Sequence, residues 1–417
     1  MKVIQIEGEK ELTGTIRVSG AKNATVALIP AAILSDEITT ICNVPDITDT
    51  EALCEILKEL NVDVKRASES LVLDSKNMIN IDIKESHSTK LRASYYFMGA
   101  LLGKYKKVSM YFPGGCSIGE RPINLHLKGF EALGAKITNE NNKYLVEADE
   151  LIGANIYLDF ASVGATINIM LAAVKAKGTT IIENAAKEPE IPNIATFLNN
   201  MGAKITGAGT STIKIEGVDY LKECFHEVIP DRIEAGTYLI IGSLVGKNIK
   251  VDNIIPEHIE PIISKLTEIG INLEVGLDYV ITRKNDNLKP TNIKTQVYPG
   301  FPTDLQQPFT VLLTQANGLS KVTETIWENR FMHIEELNKM NTNITVEGKS
   351  AFIVGKTELI GTQIKATDLR AGAAMVTAGL LAKGTTTITN IEHILRGYEN
   401  IIEKLTEVGA KIEIKEI

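Results

Sequence analysis

FEALGAKI, residues 130–137, returns as LNNMGAKI at 198–205 and LTEVGAKI at 405–412, and more loosely as LKELNVDV (57–64), LTEIGINL (266–273) and LNKMNTNI (337–344). Each copy reads as the end of an amphipathic helix that passes through one turn residue into a strand. The turn falls on Asn61, Gly134, Gly202, Gly270, Asn341 and Gly409, at intervals of 73, 68, 68, 71 and 68 residues. Gly and Asn best tolerate the left-handed backbone that closes a helix C-terminus. The same physical event is therefore predicted six times, the mark of a repeated supersecondary unit.

A second pattern recurs half a unit away, as in SGAKNATVALIPAAIL (19–34), SVGATINIMLAAVKAKG (162–178) and DLRAGAAMVTAGLLAKG (368–384). A polar loop runs into a helix of small and apolar residues. With Lys22, Arg92, Ser162, Arg232, Asp304 and Arg370 as markers, the intervals are 70, 70, 70, 72 and 66. These helices carry few charges, so they are expected to be buried on most faces. Short alternating segments such as TTIIEN (179–184) link each to a second, more polar helix. Strands alternating with two helices per unit imply layered α/β domains, three units in each. The boundary is expected near residue 229, giving domains at 21–229 and 230–417. Residues 1–20 form a strand segment resembling those that open later units; it could complete either domain and is assigned to the second.

At 417 residues the chain exceeds one ordinary hydrophobic core, in keeping with two domains. Its net charge of −8 does not recommend the surface to nucleic acid or to an anionic membrane. Any anionic ligand must meet a local cluster of cations. The most apolar stretch, Ala371 to Ala382, is well short of the ~20 residues that span a bilayer. The opening MKVIQIEGEK alternates like a strand and is not a signal peptide. Cys42, Cys54, Cys116 and Cys224 form no CxxC pair, which points to free thiols in a reducing cytoplasm. The histidines are isolated, so no metal site is expected.

Helix starts expose unpaired N–H groups and favour anions. Lys22, Arg92, Arg232 and Arg370 stand at four such starts, while Arg121, Arg330 and Arg396 stand in the intervening loops. A single arginine at a helix end ordinarily faces solvent or pairs with an acid. A whole set at matched places looks like a cleft for phosphates and carboxylates. Cys116 lies in PGGCSIGERP (113–122), whose glycines suggest a mobile loop, with Arg121 and Lys22 as cations able to shift its pKa. A lone Cys is normally a small buried hydrophobe, the reading that suits Cys42, Cys54 and Cys224. Asp304 follows GFPT and precedes an apolar run, where its ordinary role would be helix capping. SGAKN is not a Walker loop.

SGAKN (19–23), LRAS (91–94), PGGCSIGERP, SVGAT (162–166), PGFPTD (299–304), ENRFMH (328–333), DLRAGAA (368–374) and RGYE (396–399) together resemble the UDP-N-acetylglucosamine 1-carboxyvinyltransferases. The likeness runs from Lys2 to the C-terminus. It implies a two-domain inside-out α/β barrel, each domain three repeats of roughly 70 residues with helices inside and sheets outside, and a substrate cleft between the domains. It implies a cofactor-free enolpyruvyl transfer from phosphoenolpyruvate to the sugar 3′-hydroxyl in peptidoglycan synthesis, with phosphate released. Cys116 would donate the proton and Asp304 would be the base. Lys22, Arg121 and Arg396 would face the phosphate, with Asn23 beside them. Arg330 and Arg370 would hold the carboxylate and orient Asp304 and Asp368. The nucleotide sugar would meet Arg92, Arg121, Pro122, Ile123, Asn124 and Leu125. Ser162, Val163 and Gly164 would lie against its diphosphate, and Asp304 and Ile326 would also meet it. No metal, nucleic-acid or membrane partner is implied.

Two positions depart from the family pattern: Asn124 stands where an Asp is usual, and Phe160 where a Lys is usual. Loss of both charges bears on nucleotide-sugar affinity and leaves the reaction centre alone. The alternatives are the shikimate-pathway enolpyruvyl transferase, which lacks the cysteine loop, and a catalytically silent nucleotide-sugar-binding paralogue that regulates wall synthesis.

Overall fold

The computed structural model describes residues 1–111 and 122–417. Among the described residues, contacts divide the chain into two units: one holds 20–111 and 122–229, the other joins Met1–Ser19 to Pro230–Ile417.

In the first unit the helices Lys22–Ala32, Tyr96–Tyr105 and Val163–Ala173 form the interior, buried along nearly their whole length. Small residues let them approach closely. A Cβ on Gly99 would stand 2.4 Å from the Asn168 carbonyl oxygen on the neighbouring helix, well inside contact distance. In the second unit Arg232–Val245, Gln306–Leu313 and Leu369–Leu381 play the same part. The starts expected at Arg92 and Asp304 are each entered through a 3-10 turn, Arg92–Tyr95 and Thr303–Leu305, before the α-helix proper begins.

Outside these helices lie open sheets. The strand that follows each inner helix sits in the interior of its sheet or at the edge of the three-stranded one. In the first unit Thr179–Glu183 pairs antiparallel with Thr212–Glu216 and parallel with Asn155–Tyr157. In the second, Leu319–Thr323 pairs likewise with Ser350–Val354 and Asn292–Lys294. The N-terminal residues complete two sheets of the second unit. Leu12–Arg17 lies parallel to Gly246–Asp252, and Lys2–Glu7 lies between Thr385–Thr389 and Lys411–Glu416. Helices inside and sheets outside are the inside-out α/β architecture expected from the sequence.

All six turn residues read from the repeat adopt left-handed backbone: Asn61 at φ 61°, Gly134 at 95°, Gly202 at 106°, Gly270 at 101°, Asn341 at 73° and Gly409 at 104°. A second set was not read. Asn43, Asn184 and Asn253 also have positive φ, and their amides donate to the carbonyls of Val228, Leu158 and Val18 at 2.7–2.9 Å. Each ties the end of the strand after an inner helix to the strand that runs toward a helix start.

Candidate functional site

In the second unit the acid of PGFPTD does not cap a helix. Asp304 Oδ1 accepts from Arg330 Nη2 at 2.8 Å, and its Oδ2 accepts from Arg370 Nε at 3.3 Å with Arg370 Nη2 at 3.2 Å. Both guanidinium side chains are 3% exposed, whereas Asp304 keeps 27% of its side chain open. Burial alone would raise the Asp304 carboxyl. Arg330 and Arg370, with Arg232 adding to them, outweigh that and hold it far below the usual carboxylate range. The residue is therefore ionised at every working pH.

The arginines are themselves held. Arg330 Nη1 donates to Thr303 Oγ1 at 2.8 Å, and Thr303 donates onward to Glu324 at 2.8 Å. Buried Glu324 also accepts the Thr295 hydroxyl at 2.8 Å and the backbone N–H groups of Ile326 and Trp327 at 2.8 and 3.2 Å. Arg370 lies over the Tyr398 ring at 5.4 Å. Asp368 caps its helix by accepting from the N–H groups of Arg370 and Ala371 at 2.9 and 3.0 Å, and Gln307 donates to its other oxygen at 3.0 Å. Arg396 is half-buried at the end of the short helix Glu392–Leu395.

In the first unit Lys22 opens its helix and pairs with buried Asp49 at 2.8 Å. Asn23 follows it, half-buried. Arg92 lies over the Tyr95 ring at 5.7 Å. Ser162 caps the Val163–Ala173 helix by accepting from Ala165 N–H at 3.2 Å, and Val163 and Gly164 form its first turn. Of the segment after Arg121, Pro122 and Asn124 are exposed, Leu125 is half-buried and Ile123 is buried. Phe160 is 49% exposed, and next to it Asp159 pairs with Lys128 at 2.8 Å. Cys116 and Arg121 lie outside the described residues.

His126 was not singled out from the sequence, yet it lies against Gly164. Asn168 Oδ1 accepts the Gly99 N–H at 2.9 Å, which fixes its amide orientation. Its Nδ2 then donates to the Tyr95 carbonyl at 3.0 Å and to His126 Nδ1 at 2.8 Å. The imidazole proton is thereby assigned to Nε2. Burial, with Arg92 adding to it, pushes His126 down to about 3, so the ring is neutral. A Cβ on Gly164 would meet the Tyr95 hydroxyl at 2.8 Å and His126 Nε2 at 3.1 Å. The helix start thus has two neutral donors beside its own N–H groups, a setting suited to an anion.

Among the described residues no cluster of His, Cys, Asp and Glu could hold a metal ion, and no helix is long and apolar enough to cross a membrane. Cys54 and Cys224 are buried, and burial pushes both thiols up to about 11. Cys42 departs from the expected burial: it is half-buried and accepts the Ser70 hydroxyl at 3.2 Å.

Residues 6–405 match the family model described as EPSP synthase (3-phosphoshikimate 1-carboxyvinyltransferase). The UDP-N-acetylglucosamine 1-carboxyvinyltransferase 2 of Geobacillus kaustophilus is 55% identical over 412 residues, covering 99% of this chain and 96% of that protein. The protein of the same name from Listeria monocytogenes is 55% identical over 407 residues, covering 98% and 96%. Among solved structures, the enolpyruvyl transferase NikO from Streptomyces tendae superposes with a TM-score of 0.90 at 24% identity, covering 99% of each chain. EPSP synthase from Acinetobacter baumannii gives 0.76 at 17% identity over 100% of both. At those identities the two structures speak to the fold.

Proposed function

This chain belongs to the UDP-N-acetylglucosamine 1-carboxyvinyltransferase family of enolpyruvyl transferases, and we propose that it transfers the enolpyruvyl group of phosphoenolpyruvate to the 3′-hydroxyl of UDP-N-acetylglucosamine, releasing phosphate. That is the first committed step of peptidoglycan synthesis, and we assign it to the cytoplasm. The observation that carries the reading is 55% identity across nearly the whole chain to relatives of that name. The 17% identity to EPSP synthase carries no substrate.

In the proposed reaction the sugar oxygen adds to C2 of phosphoenolpyruvate while Cys116 delivers a proton to C3. The tetrahedral intermediate then loses a C3 proton and expels phosphate, restoring the double bond. Lys22, Arg121 and Arg396 face the phosphate, with Asn23 beside them, and Arg330 and Arg370 hold the carboxylate. The nucleotide sugar is assigned to Arg92, to Pro122 through Leu125, to Ser162 through Gly164 and to Ile326, and Asp304 takes the hydroxyl proton. The neutral donors around Gly164 support the placement of a diphosphate there. A thiol with an ordinary pKa of ~8.5 still holds its proton at neutral pH and can donate it. Fixed cations stabilise the charge that develops on phosphate and carboxylate.

Phosphate release with phosphoenolpyruvate tests the assignment, measured with UDP-N-acetylglucosamine, with shikimate 3-phosphate, and with a chelator present. Release is expected with the nucleotide sugar alone and undiminished by the chelator. Release only with shikimate 3-phosphate, or with neither acceptor, would refute the reading.

A further inference from the structure

A buried ion pair that the proposed chemistry does not use lies behind the RGYE stretch, wholly within the second unit. Glu234, on the first turn of the Arg232–Val245 helix, is 2% exposed. Its carboxylate accepts Lys404 Nζ at 2.7 Å on one oxygen and the Ser19 backbone N–H at 3.1 Å on the other. Lys404 Nζ also donates to the Ser19 hydroxyl at 2.6 Å, and that hydroxyl donates to Glu399. The Ser19 carbonyl accepts the Asp231 N–H at 2.9 Å. One turn along the same helix, Thr237 and the Tyr398 hydroxyl are hydrogen-bonded at 3.0 Å.

An apolar pair of the same volume would stabilise the fold as well or better, so a buried ion pair is weakly explained by stability. What this one specifies is geometry. It fastens together three segments far apart in sequence: the residue at which the chain leaves this unit, the start of an inner helix, and the stretch after Arg396. Glu399 follows Arg396 by three residues. That end of the network is thus one short span from a cation assigned above to the phosphate.

We propose that Glu234 and Lys404 are positioning residues for phosphoenolpyruvate, locking Ser19 and Glu399 and through them the backbone that presents Arg396. The proposal rests on the function assigned above.

Burial pushes the Glu234 carboxyl up to about 7, with Asp231 adding to the rise, while Lys404 and the Ser19 N–H oppose it. The groups around it are Asp231 and Tyr238 on its own helix and Lys404 on the Ile401–Glu407 helix, with Glu399 reached through Ser19. A carboxylate of raised pKa takes a proton as pH falls through that value. The ion pair is therefore formed above about 7 and lost below it. Positioning should weaken in the same window.

The test is steady-state phosphate release by the full chain between pH 6 and 8.5. The variants are Glu234→Gln, Lys404→Met, Lys404→Arg and Ser19→Ala. At pH 8, Glu234→Gln and Lys404→Met should raise KM for phosphoenolpyruvate roughly tenfold, about the worth of one charge-assisted hydrogen bond, with kcat within about threefold. Lys404→Arg should restore most of the KM. The ratio of Glu234→Gln to wild type should fall toward one at pH 6, where the wild-type pair is already lost. An unchanged KM at pH 8, or a pH-independent loss of kcat with a lower melting temperature, would overturn the proposal. Should Glu234→Gln fail to fold, Ser19→Ala decides, since it breaks the link to Glu399 without stranding a charge; an unchanged KM there overturns it. A wild type that releases no phosphate sinks the assigned function and this inference together, whereas an active wild type with unshifted variants sinks this inference alone.

Discussion

Asp304→Asn should destabilise the protein as well as abolish turnover, which is unusual for a candidate catalytic residue. Removing a polar residue from an active site often relieves like-charge repulsion. Here the carboxylate is the counter-charge for Arg330 and Arg370, each 3% exposed. Breaking a buried ion pair by removing one partner costs about 3–5 kcal/mol. Two features reduce that figure. Asp304 keeps 27% of its side chain exposed, and an Asn oxygen still accepts one of the hydrogen bonds. A net loss of about 2–3 kcal/mol follows. For a unit of this size it corresponds to a fall of roughly 4–12 °C in melting temperature. The loss should be read by urea unfolding at pH 7.5 and by calorimetry, with phosphate release expected to fall about 10²- to 10⁴-fold.

The pH dependence supplies a second reading of the same experiment. A carboxyl held below its ordinary value contributes stability that is present above the unfolded value of about 4. That stability is lost only as pH falls through the lower folded value. The gap between wild type and Asp304→Asn should therefore stay constant from pH 8 to 5. Adding Arg370→Met should recover part of the stability and none of the activity. An Asp304→Asn protein as stable as wild type, or more so, would show that the two guanidinium groups find other counter-charges, and the electrostatic account would be wrong.

Phe160→Lys should lower KM for the nucleotide sugar several-fold with little change in kcat, the pattern of uniform binding; Phe160 is 49% exposed, so no core is lost. A large fall in kcat would place Phe160 away from the diphosphate. Cys116→Ser should lose most phosphate release while still binding UDP-N-acetylglucosamine by calorimetry, because a hydroxyl is far less acidic than a thiol; normal turnover would assign the C3 proton to another group. Gly99→Ala should cost about 1–3 kcal/mol in urea unfolding through overpacking, since its Cβ would stand 2.4 Å from the Asn168 carbonyl and 2.6 Å from Asn168 Oδ1. Unchanged stability would mean that the two inner helices separate freely.

The turns were legible because backbone sterics tie them to residue type. Asn61, Gly134 and their four counterparts were readable one at a time, and their spacing then exposed the period. Asp304 and Arg370 meet because they mark equivalent points in successive units, 66 residues apart, so the repeat itself brings them together. Their pairing, however, is tertiary. The sequence offers helix capping as the ordinary role for Asp304, and only the structure shows its oxygens committed to two arginines. Glu324 and Asn168 were missed for a related reason. Each acts by accepting or donating across segments far apart in sequence, and an isolated Glu or Asn carries no spacing to mark that. Asn43, Asn184 and Asn253 did carry a signal, the Asn that ends each short alternating segment. Their left-handed backbone could have been read from it, although not the strand carbonyl each one reaches.

The ionised state of Asp304 also constrains the role of base proposed for it. A carboxylate clamped by two guanidinium groups is a poor proton acceptor, because every step of its pKa below the ordinary value is proton affinity given to the arginines. Its basicity can recover only if something else draws off their charge. In the proposed reaction the phosphoenolpyruvate carboxylate does so, since the same two side chains are assigned to it. Sharing Arg330 and Arg370 between Asp304 and a second anion weakens each ion pair and raises the Asp304 carboxyl toward a useful value. Basicity at the sugar hydroxyl would then appear only when the second substrate is in place, and a bound sugar would not be deprotonated idly. Asp304 is held instead of capping a helix, and the cost of that arrangement is borne by Glu324 and Thr303, which keep Arg330 aimed at it.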